Sequence, residues 1–404
     1  MLVEERVWQH GNPMSAPSFF VPGFESQPTG ASLVFGGDFC PIRGYERKML
    51  AGEEIFSPEL KSILQKNFSI INLEAPLCEA SLPTPSPSGS GLRGSPAIAA
   101  YLKTLGVDAW GLANNHIRDF GDDGVVQTIK NLADQGIVSF GAGCNHQEAA
   151  KPLEARVGDL RVGFLAIAEK ELNLARPNRP GAARFVPERN VVEIQKMKED
   201  YDFLVVYVHA GHEFTTVPSP RTRAAYRSFV DAGADAVIGH HPHVVQGIEK
   251  YHNGLIAYSL GNLIFDSDYV SAYKTTEIGF LLKLEIGKLG VHQAEVIPYR
   301  LEPDFFVAPL GGEDFQNFQN RFASLSQMIC EEDQYQREWE TNVRFRWETE
   351  YRRILTDFSK HFSERKNPDF PRRARNLFTC PTHVEMLEKI FYMLEDPKGG
   401  LEFP

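Results

Sequence analysis

The stretch that most narrows what this chain can fold into is residues 234–244, ADAVIGHHPHV. Ala236, Val237 and Ile238 are strand formers without polar alternation, the pattern of a strand covered on both faces in the parallel sheet of an α/β domain. His240, His241 and His243 follow where that strand stops, held by Gly239 and Pro242. Loops at the C-terminal edge of such a sheet converge on a crevice, which is where ligands bind. Packing accounts for a lone histidine but poorly for His-Pro-His behind a glycine. Because neutral imidazole is the commonest metal ligand, the stretch predicts a metal or catalytic site.

Other predicted strands end the same way. Residues 32–35 form a strand that breaks at Gly36 and Gly37 and delivers Asp38, and residues 68–73 lead through Asn72 into Glu74. A short strand over 108–112 opens into Ala113, Asn114, Asn115 and His116. Asn115 offers a neutral amide oxygen to a cation, His116 can move a proton, and Asp119, three residues on, can orient its imidazole. The apolar run 202–208 finishes in His209, Ala210, Gly211, His212 and Glu213. Residues 255–258 stop at Ser259, Leu260, Gly261 and Asn262, a turn expected to support the histidine loop. Between these lie predicted helices over 97–105, 125–135, 188–200 and 219–232, and strands over 137–140 and 162–167. The alternating runs 278–285 and 291–299 read as an antiparallel hairpin closing a second sheet.

With 404 residues, 42% hydrophobic and 24% charged, the chain can bury a large α/β core and carry an appendage. A formal charge of -11 argues against a nucleic-acid partner. Five cysteines, odd in number, scattered and without a CxxC pair, fit a reducing compartment better than a disulfide framework. Residues 1–30, rich in Pro and Gly, read as an arm rather than a packed element. Their lack of a long apolar run predicts no signal peptide and no membrane anchor, hence a cytoplasmic location. The run TPSPSGSGLRGSP within 81–95 reads either as a mobile loop beside the site, with Arg93 meeting an anionic substrate, or as a solvated insertion.

Six motifs in this order, Asp38, Asn72-x-Glu74, Asn114-Asn115-His116, His209-x-Gly-His212-Glu213, Gly239-His-His-Pro-His243 and Ser259-Leu-Gly-Asn262, resemble the CapA-like (poly-γ-glutamate capsule-synthesis) family of the calcineurin-like metallophosphatase superfamily. The resemblance spans about residues 32 to 300. It implies a four-layer α/β/β/α sandwich with two divalent metal ions between the sheet ends. Asp38, Glu74, Asn115, His209, His241 and His243 would be the ligands, with Glu74 bridging, and His116 would donate or accept a proton. Such mixed ligands suit Mn²⁺, Zn²⁺ or Fe, with Ca²⁺ or Mg²⁺ still open. The chain departs from the superfamily's Asp-x-His at Asp38-Phe39-Cys40, so one ion lacks an imidazole. Cys40 is either a thiolate ligand or a small buried residue.

Beyond Arg300 the periodicity turns helical, over 313–322, 332–362 and 383–394, and predicts a C-terminal helical extension over 301–404. Trp339, Trp347, Tyr351, Ile354 and Phe358 recur at helical spacing as a stripe that docks on the catalytic domain, taken as 31–300. Arg372, Arg373 and Arg375 either cap an acidic cleft or form a solvated face. Three functions follow from the resemblance. One is a hydrolase of a phosphoester or amide bond, acting on a peptide, polyglutamate or phosphorylated small molecule. The second is a peptide epimerase, as in a peptide-modifying relative, in which His116, His212 or His240 shuttles a Cα proton. The third is a non-catalytic capsule-assembly protein.

Overall fold

In the computed structural model, residues 16–24, 31–82, 91–364 and 370–395 are described. Two sheets lie face to face. The larger runs in the order Phe19–Phe20, Gly290–Glu302, Ile278–Gly287, Ser32–Phe39, Phe68–Leu73, Ala109–Gly111 and Val138–Phe140, its last four strands parallel. The smaller runs Ile248–Tyr251, Gly254–Ala257, Ala236–His240, Phe203–His209, Leu160–Ala168 and Leu153–Val157, parallel through its central four.

The apolar run Phe203–His209 shows why a strand without polar alternation still obeys a period of two. Phe203, Val205 and Tyr207 enter the core between the sheets, whereas Leu204, Val206 and Val208 enter a second core on the far face. Aromatic pairs knit the inter-sheet core: Phe68 stacks on Phe164 at 5.7 Å, and Phe35 meets Tyr207 at 6.4 Å. Helices Arg43–Leu50, Pro58–Lys66, Ile98–Leu105 and Gly121–Asp134 contribute buried residues to the same core from the larger sheet's outer side. The far face of the smaller sheet is covered by Pro187–Lys198 and Pro220–Asp231. Ser219 caps the latter by accepting from the Thr222 amide. The layering is the expected α/β/β/α sandwich with a C-terminal helical region.

Three expectations need correction. The 278–299 hairpin joins the larger sheet beside Ser32–Phe39, so it extends the Asp38 sheet rather than closing a second one. Strand Ser32–Phe39 does not break at its glycines but runs through them with a register shift. A Cβ on Gly37 would lie 2.0 Å from the Gly261 carbonyl oxygen, so the close approach of Asn262–Ile264 requires the glycine. The arm over 1–30 is packed where it is described: Phe19 pairs with Val296, and its ring lies 5.5 Å from Phe322. Its Pro and Gly content hid a two-residue edge strand fixed by long-range partners. Residues 1–15, 25–30 and 83–90 lie outside the described residues.

The C-terminal region comprises helices Gly312–Cys330, Glu332–Arg346, Arg352–Glu364, Phe370–Thr379 and Pro381–Glu395, with a π-turn over Trp347–Tyr351. Trp339, Trp347 and Tyr351 are buried in the second core with Leu204 and Val206, so this part of the stripe docks as expected. Ile354 and Phe358 are partly buried against that core. Among the described residues, no helix is long and apolar enough to cross a membrane.

Candidate metal centre

Every parallel strand near the middle of the two sheets ends at one crevice. Register aligns His209 with Ala168 and His240, while Asn72 aligns with Asp38 and Gly111. Past the strand ends the chain turns sharply, and His241 (φ 97°) and His243 (φ 59°) both take left-handed backbone conformations that cost non-glycine residues energy. Such strain at a buried loop is held by its surroundings. His241 N–H donates to Asp38 Oδ2 at 3.1 Å, and the Pro242 carbonyl accepts from Phe214 N–H.

Asp38, Glu74, His209, His241 and His243 are all buried, and their side chains form two overlapping groups that share Glu74. In one, Glu74, His241 and His243 offer ligand atoms within 4.8 Å of one another; in the other, Asp38, Glu74 and His209 do. Glu74 Oε1 lies 3.5 Å from His209 Nε2 and 3.7 Å from His243 Nε2. Asn115 Oδ1 completes the set at 2.9 Å from His209 Nε2. Behind these atoms stands a second ring of amides. Asn72 Nδ2 donates to Asp38 Oδ1 at 2.7 Å, and Asn262 Oδ1 lies 3.0 Å from His243 Nδ1. Such outer partners fix ring orientation and tautomer. Asn114, whose Nδ2 donates to the Leu73 carbonyl and whose Oδ1 accepts from His116 N–H, braces the loop that presents Asn115.

Electrostatically, the cluster is built to receive positive charge. Neither oxygen of the buried Glu74 carboxylate has a hydrogen-bond partner. Burial, then the nearby Asp38, push its pKa well above the usual range. Burial also holds His209 and, down to about 3, His241 in the neutral form that ligates metals. A buried carboxylate at Glu74 without a donor, beside Asp38 and neutral imidazoles, favours a cation as its missing partner.

His116 and Asp119 line the cavity next to this cluster, joined by a 2.7 Å contact between His116 Nδ1 and Asp119 Oδ2. Burial disfavours the charged imidazole, but Asp119, helped by Glu171 and Glu213, outweighs it and raises the His116 pKa. Two glutamates that the sequence reading did not assign to the site stand here as well. Glu171 Oε1 lies 3.5 Å from His241 Nε2, and burial, followed by Glu213, pushes its pKa up to about 7. Glu213 Oε1 lies 4.0 Å from His243 Nε2, and Glu213 Oε2 accepts from the Tyr269 hydroxyl at 2.8 Å.

Of the two other expected proton carriers, one lies away from the cavity and one borders it. His240 is fully buried, tilted over Tyr207 at 4.3 Å with Nδ1 3.2 Å from Asp38 Oδ1, and does not line the cavity. Its side chain alternates to the opposite face from the loop, so it backs Asp38 instead of meeting substrate. His212 borders the cavity, but its Nε2 is engaged 3.2 Å from Glu385 Oε2 and its ring packs 5.2 Å from Trp339. That contact clips the last helix onto the sheet end. Arg93 Nη1 donates to the Cys78 carbonyl at 3.0 Å, and Arg93 is not among the residues that line the cavity. Cys40 sits among Ile42, Ala75 and Phe265, and burial pushes its thiol pKa well up, so it packs as a small apolar residue.

Among solved structures, the chain is similar to a 5'-nucleotidase precursor from Thermus thermophilus, with 14% identity and a TM-score of 0.42, over 74% of this chain and 59% of that one. Curated relatives include the capsule biosynthesis protein CapA of Bacillus anthracis, 32% identical over 50% of this chain and 49% of its own length. The PGA biosynthesis protein CapA of Bacillus subtilis (strain 168) is likewise 32% identical, over 49% of this chain and 55% of its own. This chain thus spans about half the length of the curated relatives it matches. The sequence model of the family described as bacterial capsule synthesis protein PGA_cap matches residues 32–267, the segment that carries Asp38, Glu74, Asn115, His209, His241 and His243, and the chain belongs to that family.

Proposed function

We propose that this protein is a metal-dependent hydrolase of a phosphoester or amide bond in a peptide, polyglutamate or polysaccharide biosynthetic pathway. The observation that carries the reading is Glu74, a buried carboxylate with no donor, shared by two groups of ligand atoms. Asp38, Glu74, Asn115, His209, His241 and His243 would hold two divalent ions, and their mixture of oxygen and imidazole donors suits Mn²⁺, Zn²⁺ or Fe. When bound there, such ions supply Lewis acidity toward a phosphoryl or carbonyl oxygen and acidify water. His116, oriented by Asp119, delivers or removes the proton at the scissile group. The names of the CapA relatives support a capsule or polyglutamate setting, the net charge of -11 supports a partner other than nucleic acid, and the five free cysteines support a cytoplasmic location.

The test is metal content. Elemental analysis of the His241→Ala, His243→Ala double variant should show loss of bound transition metal with the circular-dichroism spectrum kept. Stoichiometry equal to the parent protein's would defeat the assignment.

A second reading, peptide epimerisation, is favoured by one specific feature. His116 and Glu171, the latter with its pKa near 7, border the same cavity and give two groups able to exchange a Cα proton. Incubation with peptide substrates in deuterated water separates the two: deuterium incorporation without cleavage means epimerisation, and cleavage without incorporation means hydrolysis.

A further inference from the structure

The cavity over the ligand cluster, about 680 Å³, is walled only in part by the α/β sandwich. Its other side is built by Arg346, Tyr351, Ile354, Phe358 and Leu377, all beyond the segment that matches the family. Within that wall Arg346 stands apart. It ends the helix Glu332–Arg346, is 3% exposed, and is followed at once by the π-turn that presents Glu350 and Tyr351 to the same cavity. Inserted π-turns of this kind occur disproportionately at functional sites.

The guanidinium is fixed but unsatisfied. Its Nη2 donates to Glu350, and its carbon lies 5.4 Å from the Phe214 ring and 6.0 Å from the Tyr351 ring. Nε and Nη1 have no acceptor. Glu213, which could otherwise supply one, is engaged by Tyr269 and stands 4.0 Å from His243. A buried charge with unmet donors is the expected resting state of a site whose missing oxygens arrive with a ligand.

We propose that Arg346 binds a carboxylate of the substrate, and that the substrate is an acylated amino acid or peptide segment whose apolar group lies along Tyr351, Ile354 and Phe358. A monoanionic carboxylate is favoured over a phosphate because Glu350, bonded to the guanidinium, and Glu213, which acts on it electrostatically from the same cavity lining, oppose a second negative charge. The proposal rests on the metal-dependent reading only for what happens at the other end of the cavity, where the acyl group meets the ligand cluster.

Calorimetric titration with N-acetyl-phenylalanine, N-acetyl-phenylalaninamide and phenyl phosphate tests it, each on the metal-free and the metal-loaded protein. The acid should bind at least about tenfold more tightly than the amide, and more tightly than phenyl phosphate, in both forms. In Arg346→Gln the preference should fall below about twofold, and Arg346→Lys, which keeps the charge but loses the planar donors, should lie between. Circular dichroism confirms that each variant is folded. Equal affinity for acid and amide would overturn the proposal. So would an acid preference that survives Arg346→Gln, which makes the arginine a brace for its helix and leaves the ions to hold the carboxylate. Should the protein take up no metal at all, the metal-dependent reading fails, whereas the Arg346-dependent preference in the metal-free form still decides this one.

Discussion

At the scale of single residues, His116 separates chemistry from architecture. The neighbouring Asn115 turns its amide oxygen to His209, while His116 faces the cavity with Asp119 2.7 Å behind its Nδ1. Leu92 N–H also donates to Asp119 Oδ2, so the carboxylate that orients the ring is itself held. As the proposed proton carrier, a residue placed this way can be removed without touching the proposed ligand set. His116→Ala should therefore lower turnover by about 10²–10⁴-fold, the scale usual for a general acid or base, with metal stoichiometry and melting temperature near the parent values. The competing role, an imidazole that merely braces the Asn115 loop, predicts metal and thermal stability lost together. Measuring rate, stoichiometry and melting on one preparation distinguishes them, and a variant that loses metal along with activity sinks the proton role.

Legibility in the sequence divides along element boundaries. Residues at or just past the C-terminal ends of strands were readable, because an apolar run that leads to Asp38, Glu74, Asn115, His209 or His241 announces both its strand and its position. His240 misled because it ends its strand beside His209, as their pairing shows, yet its ring packs on Tyr207 with Nδ1 3.2 Å from Asp38 Oδ1, away from the cavity. Glu171 and Arg346 carried no local signal. Glu171 follows an ordinary strand through two charged residues, and Arg346 sits in a helix rich in charge, so only tertiary contact separates it from its solvated neighbours. The helix Phe370–Thr379 was hidden in the basic cluster Arg372, Arg373 and Arg375, whose charges obscured the apolar positions on its other face. His212 looks like a free proton carrier in the sequence, and only the contact with Glu385, 173 residues away, engages its Nε2.

For the whole molecule, the question is whether the C-terminal helices are an appendage or part of the unit that carries the candidate site. Trp339, Tyr335, Met386 and Ile390 lie in one apolar cluster with Leu204, Val206 and Ile256 of the smaller sheet, so no solvent layer divides the two regions. Polar contacts reinforce the join: Glu169 Oε2 accepts from both Arg221 Nη2 and the Thr382 hydroxyl, and Glu385 Oε1 accepts from Arg221 N–H. One oxygen of a carboxylate buried at a strand end is thus met partly by the last helix, and the helices that complete the cavity wall are tied to the sheets that carry the candidate ligands. Trp339 is the pivot, 2% exposed and packed on the His212 ring. Trp339→Ala should cost about 3–5 kcal/mol, as deleting a buried aromatic does, while leaving thermal unfolding a single transition. Calorimetry reads both quantities. If the C-terminal region folds as an independent unit, the variant will instead show two transitions, the lower one moved and the higher one unchanged. Under the shared-core account the one transition moves as a whole, and the His212 clip and the cavity wall are lost at the temperature at which the ligand cluster is lost.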